Sequence, residues 1–129
     1  MRNLKNLFGI IIFLLSYDNS FSQSNVWQWA KSASGTSWEY CAAITNDNNG
    51  NVFIGGSFES SILNFDNFQL IKNPANVYGE DFFVAKYNTA GYVVWAKNYG
   101  GVGSNTVNSI TTDTYGNTFV TGVFDGDTL

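Results

Sequence analysis

The chain has 129 residues, of which 44% are hydrophobic, 17% aromatic and 12% charged, and its formal net charge is −4. This composition is typical of one folded domain rather than a disordered segment, and the acidic balance excludes nucleic acid as a partner, since that needs a basic face. Histidine is absent and Cys41 is the single cysteine, which excludes a disulfide framework, a Cys/His zinc site and a nucleophilic triad with a histidine base.

The amino terminus has the order of a secretory signal peptide. Two positive charges lie within the first five residues, an apolar run (LFGIIIFLL) follows at 7–15, and Ser20 and Ser22 occupy the −3 and −1 positions of a cleavage site after Ser22. The run is too short to cross a bilayer, which takes about 20 residues. We therefore expect residues 1–22 to be removed on export. The remainder, 23–129, would have no membrane span and an extracellular, cell-surface or periplasmic location.

The rest of the chain is rich in glycine and aromatic residues, which favours strands and turns. The sequence predicts four strands followed by the start of a second set: Tyr40 to Thr45, Asn51 to Phe58, Asp81 to Tyr87 and Tyr92 to Tyr99. Turns are predicted at 47–50 and 88–91, each ending in glycine. The longer connection at 59–80 has room for a short hairpin. The second strand carries apolar residues on both faces, which predicts a sheet covered on both sides.

Residues 29–58 recur as residues 95–124, at an offset of 66 positions and without a gap. Twelve of the 30 aligned pairs are identical, whereas chance would give roughly two or three. Cys41 aligns with Val107, which favours a small apolar packing role for that cysteine. Four antiparallel strands in a repeating unit are typical of a β-propeller blade, and the connection at 59–80 explains the long period. The predicted fold class is all-β, with propeller blades.

The repeat resembles the SBBP family of bacterial β-propeller repeats. Four motifs carry the resemblance: Asp81-Phe82-Phe83-Val84-Ala85-Lys86-Tyr87, Val93-Val94-Trp95-Ala96, Ile110-Thr111-Thr112-Asp113 and Gly116-Asn117-Thr118-Phe119-Val120-Thr121-Gly122. The resemblance implies a secreted or surface-associated bacterial protein whose repeat has no enzymatic role.

The repeat region amounts to about one and a half blades, so the predicted propeller is incomplete. The third and fourth strands of the second unit have no counterpart before Leu129, and a closed propeller takes 4 to 8 blades. We therefore expect an amino-terminal fragment of a longer chain with further blades. Residues 26–32 align with 92–98, which predicts the outermost strand of another blade. An isolated piece of this kind is expected to self-associate, because its sheet faces and edges are uncovered.

No catalytic, cofactor-binding or metal-ligating residue is predicted. Asp47 and Asp113 each begin a turn whose later positions lack the glycine and glutamate of an EF-hand, so their side chains are expected to bond turn amides. Trp29 aligns with Trp95, which favours packing within the blades. Trp27 and Trp38 have no aromatic counterpart in the second unit and are the candidates for exposed ligand contact.

These features predict a non-catalytic scaffold or interaction module of an exported protein, with an unidentified protein or glycan as its ligand. The alternative is the propeller part of an extracellular carbohydrate-active enzyme. Such an enzyme would use paired carboxylates, and the acids available for that role are Glu39, Glu59, Glu80 and Asp81. A third interpretation is a truncated gene product without independent activity.

Overall fold

The structure is a computed structural model that describes residues 27–125. These residues form strands, turns and irregular segments, and none of their segments is a helix that could cross a membrane. The predicted signal peptide lies outside the described residues. The eight strands are β1 (Glu39–Asn46), β2 (Val52–Phe58), β3 (Ile62–Phe65), β4 (Phe68–Ile71), β5 (Asp81–Tyr87), β6 (Val93–Tyr99), β7 (Asn105–Thr112) and β8 (Thr118–Phe124).

Four strands form one antiparallel sheet in the order β1-β2-β5-β6, which we call the first blade. Each predicted strand of the first unit lies within one residue of its observed bounds. Gly50 ends the turn between β1 and β2 with a φ of 77°, a conformation that glycine adopts without steric cost. The predicted all-β, antiparallel, four-stranded unit is confirmed.

The second blade consists of β7 and β8, which pair antiparallel. The register of β1 against β2 shifts between Cys41 and Ala43, and the register of β7 against β8 shifts between Val107 and Ser109. The two bulges therefore lie at equivalent positions 66 residues apart. Since a bulge bends a strand and increases its twist, the sequence repeat is also a repeat of local geometry.

One face of the first blade is partly covered by a two-stranded hairpin of β3 and β4. Leu63, Phe65 and Leu70 of this hairpin are at least 95% buried, and they belong to the same core cluster as Phe58 and Phe83 of the blade. The predicted long connection thus contains the short hairpin expected of it. Its function is to cover the apolar side chains on this face.

The opposite face of the first blade packs against β7 of the second blade. Phe53 and Val84 form a buried cluster with Ile110, and Trp95 packs edge-on to Phe53 with ring centroids 6.1 Å apart. The Thr112 hydroxyl donates to the backbone oxygen of Asn46 across the two blades at 3.3 Å. Both faces of β2 therefore meet apolar groups, as its residue pattern predicted.

The segment before β1 differs from its prediction as an outermost strand. Residues 27–33 are not assigned to a strand, because within the described residues no sheet edge lies beside them to supply ladder hydrogen bonds. Trp29 instead stacks on Tyr87 at 5.8 Å, and its indole N–H donates to the Thr89 carbonyl at 3.2 Å. The segment is held by this indole, by an ion pair of Lys31 with Asp66 at 2.9 Å, and by a β-bridge from Ser34 to Asn64.

Candidate functional site

The Asp47 turn is held by the carboxylate itself. Its Oδ1 accepts from the backbone N–H groups of Asn49 and Asn51, both at 2.9 Å, and its Oδ2 accepts from the Asn51 side-chain amide at 2.8 Å. Lys86 adds an ion pair at 3.7 Å. The Asn51 side-chain bond, above all, holds the pKa of the Asp47 carboxyl below its usual range. Because Asp47 directs both oxygens to turn amides, it is a turn residue, as predicted.

The second blade repeats this arrangement. Asp113 Oδ1 accepts from the N–H groups of Tyr115 and Asn117 at 2.9 and 2.8 Å, and Oδ2 accepts from the Asn117 side chain at 2.7 Å. The same side-chain bond lowers the pKa of the Asp113 carboxyl. The described residues contain no group of three His, Cys, Asp or Glu side chains placed to hold a metal ion.

A buried polar network joins the loops at one end of the first blade. Asn76 and Asp81 are each 99% buried. The Asn76 amide donates to Asp81 Oδ1 at 3.1 Å and to the Gly103 carbonyl at 2.9 Å, and the Gly103 N–H donates back to Asn76 Oδ1 at 3.1 Å. The backbone N–H of Asn73 donates to Asp81 Oδ2 at 2.7 Å. These bonds fix the loop before β5 against the loop before β7. Sequence reasoning missed this network, although the asparagines at 73 and 76 are its visible signal.

Cys41 lies in β1, as predicted, but its thiol is exposed rather than buried. Partial desolvation raises the pKa of the thiol, which keeps it protonated at neutral pH and disfavours a nucleophilic role. Its aligned residue Val107 is only 3% exposed. The exposure follows from location: Val107 faces the first blade, whereas the described residues leave the side of the sheet at Cys41 uncovered.

The uncovered area is a cleft of about 320 Å³ on the hairpin side of the first blade. We call its sheet surface the open face and define it by Cys41, Ile44, Val52 and Ile54. The other residues that line this cleft are Trp29, Lys31, Ala33, Glu39, Tyr40, Phe83 and Tyr87. Its lining is mostly apolar, which is the chemistry of a surface that packs against another apolar surface. Sequence reasoning did not identify this cleft.

Trp27 and Trp38, which have no aromatic counterpart in the second unit, are both exposed in the structure. Trp27 is 88% exposed and Trp38 is 80% exposed. Neither lines the cleft of the open face. The Trp38 backbone carbonyl accepts from the N–H of Glu59 at 2.9 Å, which ties the chain before β1 to the end of β2 while the indole projects away. Their role as ligand contacts stays a prediction.

The acids considered for carbohydrate cleavage are mostly engaged in structural bonds. Glu39 accepts a short hydrogen bond from the Ser60 hydroxyl, Glu59 accepts from the Ser37 hydroxyl at 3.0 Å, and Asp81 belongs to the buried network. Among the described residues, Glu39 is the one carboxylate that lines the open-face cleft. A pair of carboxylates facing each other across that cleft, as glycoside hydrolysis requires, is therefore not formed there.

Comparison with protein-family models finds no match. Among curated proteins, the chain is similar to an uncharacterized WD repeat-containing protein of Acanthamoeba polyphaga mimivirus, with 29% identity over 126 residues. The alignment covers 92% of this chain but 9% of the viral protein, so the chain spans less than a tenth of that relative. The similarity agrees with a β-propeller type of repeat, and it comes from a virus rather than from a bacterium.

Proposed function

We propose that this chain is part of a non-catalytic interaction scaffold built from stacked, propeller-type blades. The observation that carries the proposal is the packing of β7 on the first blade through Phe53, Val84 and Ile110. The repeat thereby supplies its own blade-to-blade interface. The WD repeat-containing relative fits the same architecture, and it is about ten times longer than this chain. Assignment to the SBBP family is part of this proposal and rests on the four sequence motifs.

The chemistry of the described side chains supports binding rather than turnover. The chain contains no histidine, and the two Asp-turn carboxylates are each used by three hydrogen bonds within their own turns. Large exposed aromatic groups remain, and these favour contact with a protein or with a sugar ring. We propose Trp27 and Trp38 as such contacts, with a protein as the primary partner class and a glycan as the second.

The experiment that tests this proposal measures binding and hydrolysis together. The purified chain is incubated with cellulose, chitin, xylan and starch, and both co-sedimentation and release of reducing ends are measured. A scaffold releases no reducing ends. Release of reducing ends would contradict the scaffold and would support the carbohydrate-active enzyme.

The matched variants identify the contact. The double variant Trp27→Ala/Trp38→Ala is compared with Tyr115→Ala, which removes an aromatic side chain that is 90% exposed. Retention on a polysaccharide without turnover, lost in the double variant and kept in Tyr115→Ala, would identify the ligand as a glycan. If the chain were neither retained on these polysaccharides nor able to hydrolyse them, another protein would be the remaining class of partner.

Export is a separate part of the proposal and rests on residues 1–22. Expression of the whole chain in a Gram-negative host, followed by mass spectrometry of the periplasmic fraction, is expected to find a chain that begins at Gln23. Replacing Ile11 and Phe13 in the apolar run with Asp is expected to retain the uncleaved chain in the cytoplasm. Recovery of uncleaved wild-type chain from the cytoplasm alone would contradict export.

A further inference from the structure

The open face of the first blade has a buried counterpart in the second blade. Ile110 and Val107 are 7% and 3% exposed, and Ile110 packs against Phe53 and Val84 of the first blade. The equivalent Ile44 is the same amino acid in the same strand position, yet it is 70% exposed. The open face therefore has the composition of a blade-to-blade interface and lacks, among the described residues, the blade that would cover it.

The segment at 27–33 marks where that missing sheet would lie. Two clefts are lined by the same four repeat positions: Trp29, Lys31, Val52 and Ile54 in one, and Trp95, Lys97, Thr118 and Val120 in the other. In the second cleft, β6 stands beside the second blade. Residues 27–33 thus lie beside the first blade where β6 lies beside the second blade. The cleft between this segment and the open face is not filled by other described residues.

A complementary surface lies at the other end of the molecule. The odd-numbered residues of β2 face the second blade, and Phe53 among them is 1% exposed. The equivalent positions of β8 are Phe119, Thr121 and Val123, which we call the tail face. Phe119 and Val123 are 55% and 58% exposed. Among the described residues, the chain therefore carries one half of its internal blade-to-blade interface and the two-stranded part of the other half a second time. No other described residues cover these two surfaces.

A close approach in the internal interface shows that these two surfaces fit in size. A Cβ built on Gly55 would lie 3.0 Å from Val107 Cγ1 and 3.7 Å from Val107 Cβ. At the uncovered halves, Thr121 takes the place of Gly55 and Cys41 takes the place of Val107. The larger residue on the tail face thus meets the smaller, unbranched residue on the open face, which keeps the summed volume close to that of the internal pair.

We propose that the open face binds the tail face of a second copy of this chain, in the geometry of the internal blade-to-blade interface. The association is head to tail, because the two surfaces differ, and such contacts form rings or open filaments rather than two-fold dimers. The two strands present in the second blade suffice, since in the internal interface β7 packs mainly across β1 and β2. Trp27 and Trp38 do not line the open-face cleft, so failure of ligand binding there leaves this inference unaffected.

The first test compares two isoleucine variants by sedimentation velocity over a range of concentrations. Ile44→Asp places a charge on the open face, whereas Ile71→Asp places it on the hairpin, where Ile71 has a nearly identical exposure of 69%. We expect wild type and Ile71→Asp to self-associate and Ile44→Asp to be monomeric, with unchanged circular dichroism. A monomeric wild-type chain, or equal association of both variants, would overturn the proposal.

A mixing experiment tests the head-to-tail order. Phe119→Asp blocks the tail face and leaves the open face intact, whereas Ile44→Asp does the reverse. Each variant alone is expected to be monomeric, and an equal mixture is expected to form a one-to-one heterodimer that grows no further. Larger assemblies in the mixture, or no heterodimer, would contradict the pairing of these two surfaces.

Cross-linking tests the contact at residue level and does not depend on a disruptive charge. Cβ atoms about 3.8 Å apart suit a disulfide, so Thr121→Cys is expected to form a dimer and higher oligomers with Cys41 of another copy under oxidised glutathione. The control Thr114→Cys places a thiol on an exposed turn of the same blade, and Thr121→Cys/Cys41→Ser removes the partner thiol. Equal cross-linking of Thr114→Cys and Thr121→Cys would overturn the proposed register.

Discussion

Ile44 and Ile110 occupy the same position in two successive blades, yet 70% of Ile44 is exposed and only 7% of Ile110. Both lie in the first strand of their blade, one residue after the end of the equivalent register shifts at Ala43 and Ser109. Local structure therefore does not explain the difference. Ile110 is covered because the second blade rests on the first, and full burial of such a side chain is worth about 1.5–3 kcal/mol.

Trp29 is expected to stabilise the described fold although it lies outside the strands. Trp29→Ala removes the stack on Tyr87 and the hydrogen bond to the Thr89 carbonyl. Because Trp29 is half-buried, we expect a loss of about 1–3 kcal/mol in the free energy of unfolding, less than for a fully buried tryptophan. The measurement is urea denaturation followed by circular dichroism.

Trp27→Ala is the control for this prediction, since Trp27 is 88% exposed. Its change in the free energy of unfolding is expected to stay within about 0.5 kcal/mol. Equal effects of the two substitutions would mean that the Trp29 stack does not form in solution.

Gly56 is required by a close approach of backbone at the bulge in β1. A Cβ at Gly56 would collide with the Tyr40 carbonyl oxygen and would lie 2.9 Å from Phe83 Cζ. Gly56→Ala is therefore expected to cost about 1–3 kcal/mol of stability through overpacking, seen as a lower urea midpoint.

Gly116→Ala separates this collision from backbone strain. A Cβ at Gly116 meets no atom within 4 Å, but the residue has a φ of 85°, which costs a residue with a side chain roughly 1 kcal/mol. If Gly56→Ala cost no more than Gly116→Ala, the collision at the bulge would be refuted.

The strands of the first blade could be predicted because each is bounded by turn residues with a definite geometry. Asp47 and Gly50 specify one turn, and the strand at 81–87 is a mostly apolar run that ends before the turn at Asn88. The repeat then predicted the second blade without further information. Residues 26–32 were predicted to form the outermost strand of another blade. Residues 27–32 lie outside the strands, because the described residues do not include a neighbouring strand of that blade to pair with them.

The candidate site was predictable only in part. The exposure of Trp27 and Trp38 followed from their missing aromatic counterparts, because a blade interface repeats its packing residues. The open face was not predicted, since the exposure of Cys41 and Ile44 depends on which sheets lie next to them. The Asn76–Asp81 network also escaped notice, because its bonds join residues that are distant in sequence, such as Asn76 and Gly103.

Asn76 is expected to be among the most sensitive polar residues. Asn76→Ala would leave the buried Asp81 Oδ1 and the Gly103 N–H without the bonds recorded at 3.1 Å each. An unsatisfied buried polar group costs about 1–3 kcal/mol, so the urea midpoint should fall clearly. Asn48→Ala, at an exposed turn position, is the control and should change it little. Similar midpoints for both variants would show that the network does not fix these loops.

The Asp47 turn should make stability depend on pH in the acid range. The carboxyl has a lowered pKa in the folded chain, so its stabilising contribution is present above the unfolded pKa of about 3.9. This contribution is lost as the pH falls through the folded value. Asp47→Asn removes this titrating carboxyl. On acidification below a pH of about 3.9, the urea midpoint of this variant should therefore fall less steeply than that of wild type. Asp125→Asn, at an exposed position outside the turn, removes one negative charge without touching the turn and is the control for net charge. If the urea midpoint of Asp47→Asn fell with pH as steeply as the midpoints of wild type and Asp125→Asn, the Asp47 carboxylate would not be the group responsible for the pH dependence.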